Sequence, residues 1–228
     1  MAKAKGVVVL AVLLGLVSVA TAKSVTIGPH EIDLDRPDGH CLLDEDTLPD
    51  AKLFRIMREA SLGKNAILFV SAECGQLERW RTGEQTTLDD FAVAMAPKKL
   101  VGRRIDMPKP EYVRRMTGVM EHQGATLMKE NYDKVAKNVE EKVDNMGMKG
   151  QKSLGILETD DQALYWGVIQ SMQTQSGETK NTAGVMAMTL VAGKVVNLYR
   201  YTRYAGEGTV ADLQESTATW VSQVQAVN

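Results

Sequence analysis

Cysteine is scarce: the 228 residues carry two, Cys41 and Cys74, and they stand too far apart for a CxxC redox pair. Histidine is almost as rare, at three, and no H-E-x-x-H or G-x-S-x-G stretch occurs. The metalloprotease helix and the serine-hydrolase elbow are therefore missing. Lys and Arg total 27 against 29 acids, without the basic excess of a nucleic-acid binder. Aromatics make up only 5%, whereas methionine reaches 12 and lies in helical and strand-like segments, where it fills core gaps.

What is present begins at the amino end. "MAKAKGVVVLAVLLGLVSVATA" (1–22) has Lys3 and Lys5, an apolar run from Gly6 to Val17, then Ala20-Thr21-Ala22. That is the basic start, apolar stretch and small-residue cleavage site of a secretory signal, and it is short for a membrane span. No cysteine follows to carry a lipid anchor. Cleavage after Ala22 leaves 23–228, an exported chain bound for the bacterial periplasm or the exterior, with no further transmembrane segment. An even cysteine count in such a compartment predicts a Cys41–Cys74 disulfide.

Along the mature part, "SVTIGPHEIDLD" (24–35) reads as a hairpin and Pro37-Asp38-Gly39 as a tight turn. Residues 47–63 read as a helix capped by Thr47, with Leu53, Ile56, Met57 and Ala60 on one face and Gly63 at its end. "NAILFVSAEC" (65–74) reads as a central strand, and "GQLERWRTG" and "TLDDFAVAMAP" as two short helices, the second stopped by Pro97. Residues 110–146 are helical, with Val135, Val139, Val143 and Met146 in one stripe; Gly118 and Gly124 predict a break, and "NMGMKGQ" closes the segment. Two hairpins follow, one turning at "TDDQ" and one at "AG" before "KVVNLYRYTRY". A last helix starts at Thr209 and Asp212 and buries Leu213, Thr217, Trp220, Val224 and Val227. Such short turns require antiparallel pairing. The fold class is α+β: one domain over 23–228, a mainly antiparallel sheet with helices on its faces and a helical insertion at about 110–146.

The motifs that suggest chemistry fail on spacing. "DLDRPDGHCLLDED" (33–46) misses the calcium-loop register by one residue. His30, His40 and Cys41 lack a fourth zinc ligand. "GMKGQKS" interrupts the phosphate-loop Gly-Lys-Ser with Gln151. His122 is a lone helical histidine, and Asp160-Asp161 sits at a hairpin turn. No catalytic, cofactor or metal residue is assigned. Two surfaces stay open: Lys98, Lys99, Arg103 and Arg104 of the basic connection 98–115, as a charged linker or as a face for anionic headgroups or an acidic partner, and Tyr199, Tyr201 and Arg203 of "YRYTRY", as packing or as a contact face.

The block "MTLVAGKVVNLYRYTRY…TVADLQESTATWVSQVQAVN" resembles the end of PsbP/Mog1/DcrB-type proteins, and "DGHCLL" and "NAILFVSAEC" are similar to segments of secreted bacterial proteins. The resemblance, mainly over 150–228, implies an α/β/α sandwich and an accessory or binding role without catalytic residues. The expected function is a non-catalytic accessory or interaction protein of the cell envelope. The alternatives are a small-ligand or lipid-headgroup binder using a cleft between the sheet and 110–146, and a hydrolase using His122.

Overall fold

The computed structural model describes residues 23–142, 147–173 and 177–228; the predicted leader at 1–22 and the stripe positions Val143 and Met146 lie outside them. Its centre is a seven-stranded sheet, antiparallel at every pairing, in the order β3-β4-β5-β9-β8-β7-β6. The strands are β3 (His40–Leu42), β4 (Asn65–Glu73), β5 (Phe91–Pro97), β6 (Gly147–Thr159), β7 (Ala163–Gln173), β8 (Thr179–Val191) and β9 (Lys194–Arg203). A separate hairpin pairs β1 (Lys23–Ile27) with β2 (His30–Leu34), as the sequence predicts. The helices are α1 (Asp50–Ala60), α2 (Cys74–Thr82), α3 (Lys109–Lys142) and α4 (Glu207–Ala226). The class is thus α+β with a mainly antiparallel sheet.

The strands' two-residue period sorts their side chains onto two covered faces. On one, Ala92, Ala94, Val185, Ala187 and Leu198 meet Leu213, Trp220, Val221 and Val224 of α4, together with Val25, Ile27, Ile32 and Leu34 of the β1–β2 hairpin. On the other, α3 covers Leu164, Trp166, Met186 and Met188. Beside it, α1 and α2 cover Val70, Ala72 and Val93.

Several predicted elements come out differently. "TLDDFAVAMAP" forms no helix; its apolar part is strand β5, paired with β4 and β9. Its period-two signal lies in size rather than polarity: small Ala92, Ala94 and Ala96 lie in the α4-side cluster, and larger Phe91, Val93 and Met95 in that of α1 and α2. Strand β4 is interior as predicted, paired with β3 and β5 and packed on both faces, although β9 holds the middle place in the sheet. The cap of α1 is Pro49, not Thr47, and the deeply buried α1 residues are Asp50 and Phe54. Asp50 is held there by Arg81, whose Nε and Nη2 donate to it at 3.1 and 2.5 Å.

The predicted break in α3 is absent: 34 residues run as one helix, about 51 Å long at 1.5 Å per residue. Gly118 has open space around it, whereas a Cβ on Gly124 would meet Trp166 Cη2 at 2.6 Å. Gly124 is thus a notch that seats the Trp166 ring, and only Gly118 is a residue of poor propensity alone. Gly147–Gln151 open β6 rather than close the helix. This edge strand carries register irregularities at Met148/Gly150, Ser153/Gly155 and Ile156/Glu158. The last helix is capped at Gly206 rather than by a Thr209–Asp212 pair. The Thr209 hydroxyl instead accepts from Ala205 N, and Val227 is 42% exposed.

Candidate functional site

Cys41 and Cys74 form the disulfide, with sulfurs 2.02 Å apart, joining edge strand β3 to the first residue of α2. The α2 start is organised by Glu73, whose carboxylate accepts from Gly75 N and Gln76 N at 2.9 and 2.8 Å. Those two bonds hold the Glu73 carboxyl below its ordinary range.

The basic connection is a strap lying across one end of the sheet. From the end of β5, Lys98 N donates to Lys64 O at 2.9 Å, and Ile105 N donates to Gly193 O at 2.8 Å. Between these anchors, the Lys194 ammonium donates to Val101 O and Arg103 O, both at 2.9 Å. Lys194 is 1% exposed, a cation buried to clamp two carbonyls. Val101, Leu100, Ile105 and Met107 pack inward against the two flanking cores. Lys98, Lys99, Arg103 and Arg104 face outward and are exposed. Among the described residues, none of them pairs with a carboxylate, and neither does Lys109 at the start of α3. Lys109 Nζ instead donates to Gln162 Oε1 at 2.9 Å and to Gln225 Oε1 of α4. Burial lowers the Lys109 pKa, with the Asp160 charge acting the other way. Beside the strap, Arg104, Met107, Lys109 and Gln225 help line a pocket of about 310 Å³.

Tyr199, Tyr201 and Arg203 lie elsewhere on the sheet. Tyr201 stacks on Phe91 of β5, its cross-strand partner, at 4.7 Å and 18°, and lies parallel to Tyr199 at 6.3 Å. The Tyr201 ring also covers Gly184, where a Cβ would come within 2.8 Å of it. Both tyrosines are partly buried, and burial raises both phenol pKa values, that of Tyr199 to about 12. Arg203 is exposed within 3.8 Å of Asp89 and 3.9 Å of Glu178. These three residues thus lie along β9 towards the end away from Lys194, the residue that holds the strap.

His122 is exposed, and its Nδ1 lies 2.7 Å from Gly118 O on its own helix. Asp160 accepts from Gln162 N, Ala163 N and Tyr165 Oη, which makes it the organiser of the β6–β7 turn. Among the described residues, no group of three or more His, Cys, Asp and Glu is placed to hold a metal.

A second polar cluster has no local signature in the sequence. His40 is buried, with Nε2 3.3 Å from both Asp90 Oδ1 and Arg200 Nη2, and Nδ1 3.4 Å from Ser71 Oγ. Arg200 also donates to Asp90 at 3.1 Å. Burial works against the Asp90 charge, but the His40 hydrogen bond and the Arg200 charge outweigh it and hold this carboxyl below the usual aspartate range. A small cleft of about 230 Å³, lined by Asp38, Arg200, Trp220 and Gln223 among others, opens beside it. Ser71 is fully buried, so no ligand reaches its hydroxyl in this arrangement. The cluster ties β3, β4, β9 and the residue just before β5 together beneath α4.

No family model matches the chain, and a search of curated proteins found no similar sequence. No helix among the described residues is long and apolar enough to cross a membrane.

Proposed function

We propose that the chain is an exported accessory protein of the cell envelope that works by binding, and that it docks through the strap onto an acidic surface of a protein partner. The observation that carries this reading is the charge arrangement of the strap. Residues 98–109 hold five cations against one acid, Asp106, on backbone fixed at Lys64, Gly193 and Lys194. What sets these cations apart is their clustering, four of them exposed within seven residues on backbone pinned at three points, which favours a complementary partner and fast, salt-sensitive association. The leader at 1–22 and the disulfide support export. The PsbP/Mog1/DcrB-like sandwich belongs to the same proposal, and helices on both faces of the sheet are compatible with it.

The test is crosslinking in native envelope at low and high salt, comparing the wild type with a Lys98→Glu/Lys99→Glu/Arg103→Glu variant. A partner recovered by the wild type at low salt and lost on charge reversal is the expected result. Equal recovery by both chains would refute the docking surface. The alternative, a small-ligand or headgroup binder, is favoured by the strap-side pocket rather than by a cleft under α3.

A further inference from the structure

We propose that the pocket beside the strap binds a small phosphate-bearing ligand through Arg104 and Lys109. This rests on the reading above that the strap is a binding surface, and gives its cationic end a ligand class. The pocket's volume, about 310 Å³, lies at the small end of the ligand-site range and suits one headgroup-sized molecule. No Asp or Glu side chain lines it. Gln225 and Asn228 also line it, but their amides are spent on internal bonds: Gln225 to Thr189, Leu190 and Lys109, and Asn228 to Asp33 and Val224. Recognition therefore falls to the two cations.

Both are placed for it. The Arg104 stem crosses the β8–β9 turn where Gly193 leaves room, since a Cβ there would lie 2.9 Å from Arg104 Cγ. Among the described residues, the Arg104 guanidinium donates to no group, so its whole fork is available. Lys109 spends two of its three N–H groups on neutral amide oxygens and keeps one. Behind the turn, the buried Lys194 ammonium is held only by carbonyls. Buried positive charge held only by carbonyls is unfavourable, and an anion seated in the pocket would offset it at Lys194 and at the partly buried Lys109, while the exposed Arg104 supplies hydrogen bonds. A guanidinium fork and an ammonium suit the several oxygens of a phosphate, and Met107 and Leu190 offer an apolar wall to the organic part of an ester.

The turn itself supplies the discriminating variant. Ala192 and Gly193 have φ of +48° and +78°, the two-residue hairpin geometry that Asn-Gly and Asp-Gly fit best. Ala192 is exposed and lines the pocket. Ala192→Asp and Ala192→Asn should therefore both fold at least as well as the wild type, while only the former brings a carboxylate to the cations. Purified mature chain is titrated with inorganic phosphate and with glycerol 3-phosphate, following amide and Arg Nε resonances. In parallel it is mixed with phosphatidylglycerol vesicles and with phosphatidylcholine vesicles. The expected result is saturable shifts around Arg104, Lys109 and Gly193, retained in Ala192→Asn and weakened at least tenfold in Ala192→Asp and Arg104→Gln. Shifts reproduced by phosphatidylglycerol vesicles alone of the two lipids identify a headgroup as the source; shifts with the soluble esters only identify a soluble ligand. Absence of saturation, or equal binding by the Asp and Asn variants, overturns the proposal. Phosphate binding that survives Lys98→Glu/Lys99→Glu/Arg103→Glu while partner capture does not, or the reverse, separates this site from the docking surface.

Discussion

Gly118 and Gly124 lie six residues apart in one helix, and the same substitution at the two should move stability in opposite directions. Glycine to alanine in a helix interior gains about 1 kcal/mol from backbone entropy and propensity. At Gly118 nothing lies within 4 Å of the added methyl, so Gly118→Ala should realise about that gain. At Gly124 the methyl would stand 2.6 and 2.7 Å from Trp166 Cη2 and Cζ3, roughly 1 Å inside ordinary carbon contact, and 3.1 Å from Met120 Cε. The methionine end can turn aside. The indole cannot easily do so, because it is 4% exposed and packed between α3 and the sheet. Overpacking of this kind costs about 1–3 kcal/mol, which outweighs the propensity gain and leaves a net loss of about 1 kcal/mol. The variants should then differ by about 2 kcal/mol, or about 4–8 °C in melting temperature for a chain of this size. Urea unfolding followed by far-ultraviolet circular dichroism reads the difference directly. A Gly124→Ala protein as stable as Gly118→Ala would refute the notch. Trp166→Phe supplies an internal check: the smaller ring stops short of the clashing atoms, and the indole Nε1 has no hydrogen-bond partner to lose. In that background Gly124→Ala should stabilise.

Replacing Cys41 and Cys74 by serine opens a crosslink spanning 33 positions and should lower unfolding free energy by about 3.5–4 kcal/mol through loop-closure entropy; an unchanged urea midpoint would count against it. Asp50→Ala removes a fully buried carboxylate that accepts from Asp44 N as well as from Arg81. Because the Arg81 side chain is 40% exposed, the expected loss is about 2–3 kcal/mol, below that for a fully buried pair, and urea titration checks it. The depressed Asp90 pKa means that its contribution to stability is complete above the ordinary aspartate value, about 4, and fades as pH falls through the lower folded value. Asp90→Asn should therefore be less stable at pH 7, with a shallower acid limb; parallel limbs in urea midpoints from pH 7 to 3 would refute this.

The hairpins were the most legible part of the fold, because "TDDQ" and "AG" are turn chemistry between apolar runs and because the two-residue turn fixes the register of β8 and β9. The disulfide was legible too, from an even cysteine count behind a predicted leader. Strand β5 was not: its alternate alanines carry high helix propensity, and only the neighbouring strands, contributed from Asn65–Glu73 and Lys194–Arg203, make small residues on one face an advantage. The strap cations could be named from the sequence, but not the rigidity of their support. The one local clue was Lys194, a lysine heading an otherwise apolar strand segment. The His40–Asp90–Arg200 cluster joins residues up to 160 positions apart and left no spacing to read.

The two margins of the sheet bear on behaviour in a crowded compartment. A strand with unpaired backbone groups is a template onto which another chain can add, the first step towards filaments. On one side the exposed strand, β3, is three residues long and tethered by a sulfur bridge, so it offers little length to copy. On the other, β6 is thirteen residues long, but its three irregularities and the solvent-facing Lys152 break the straight, uncharged run that accretion needs. Smoothing those irregularities would remove that protection and favour self-association through this margin.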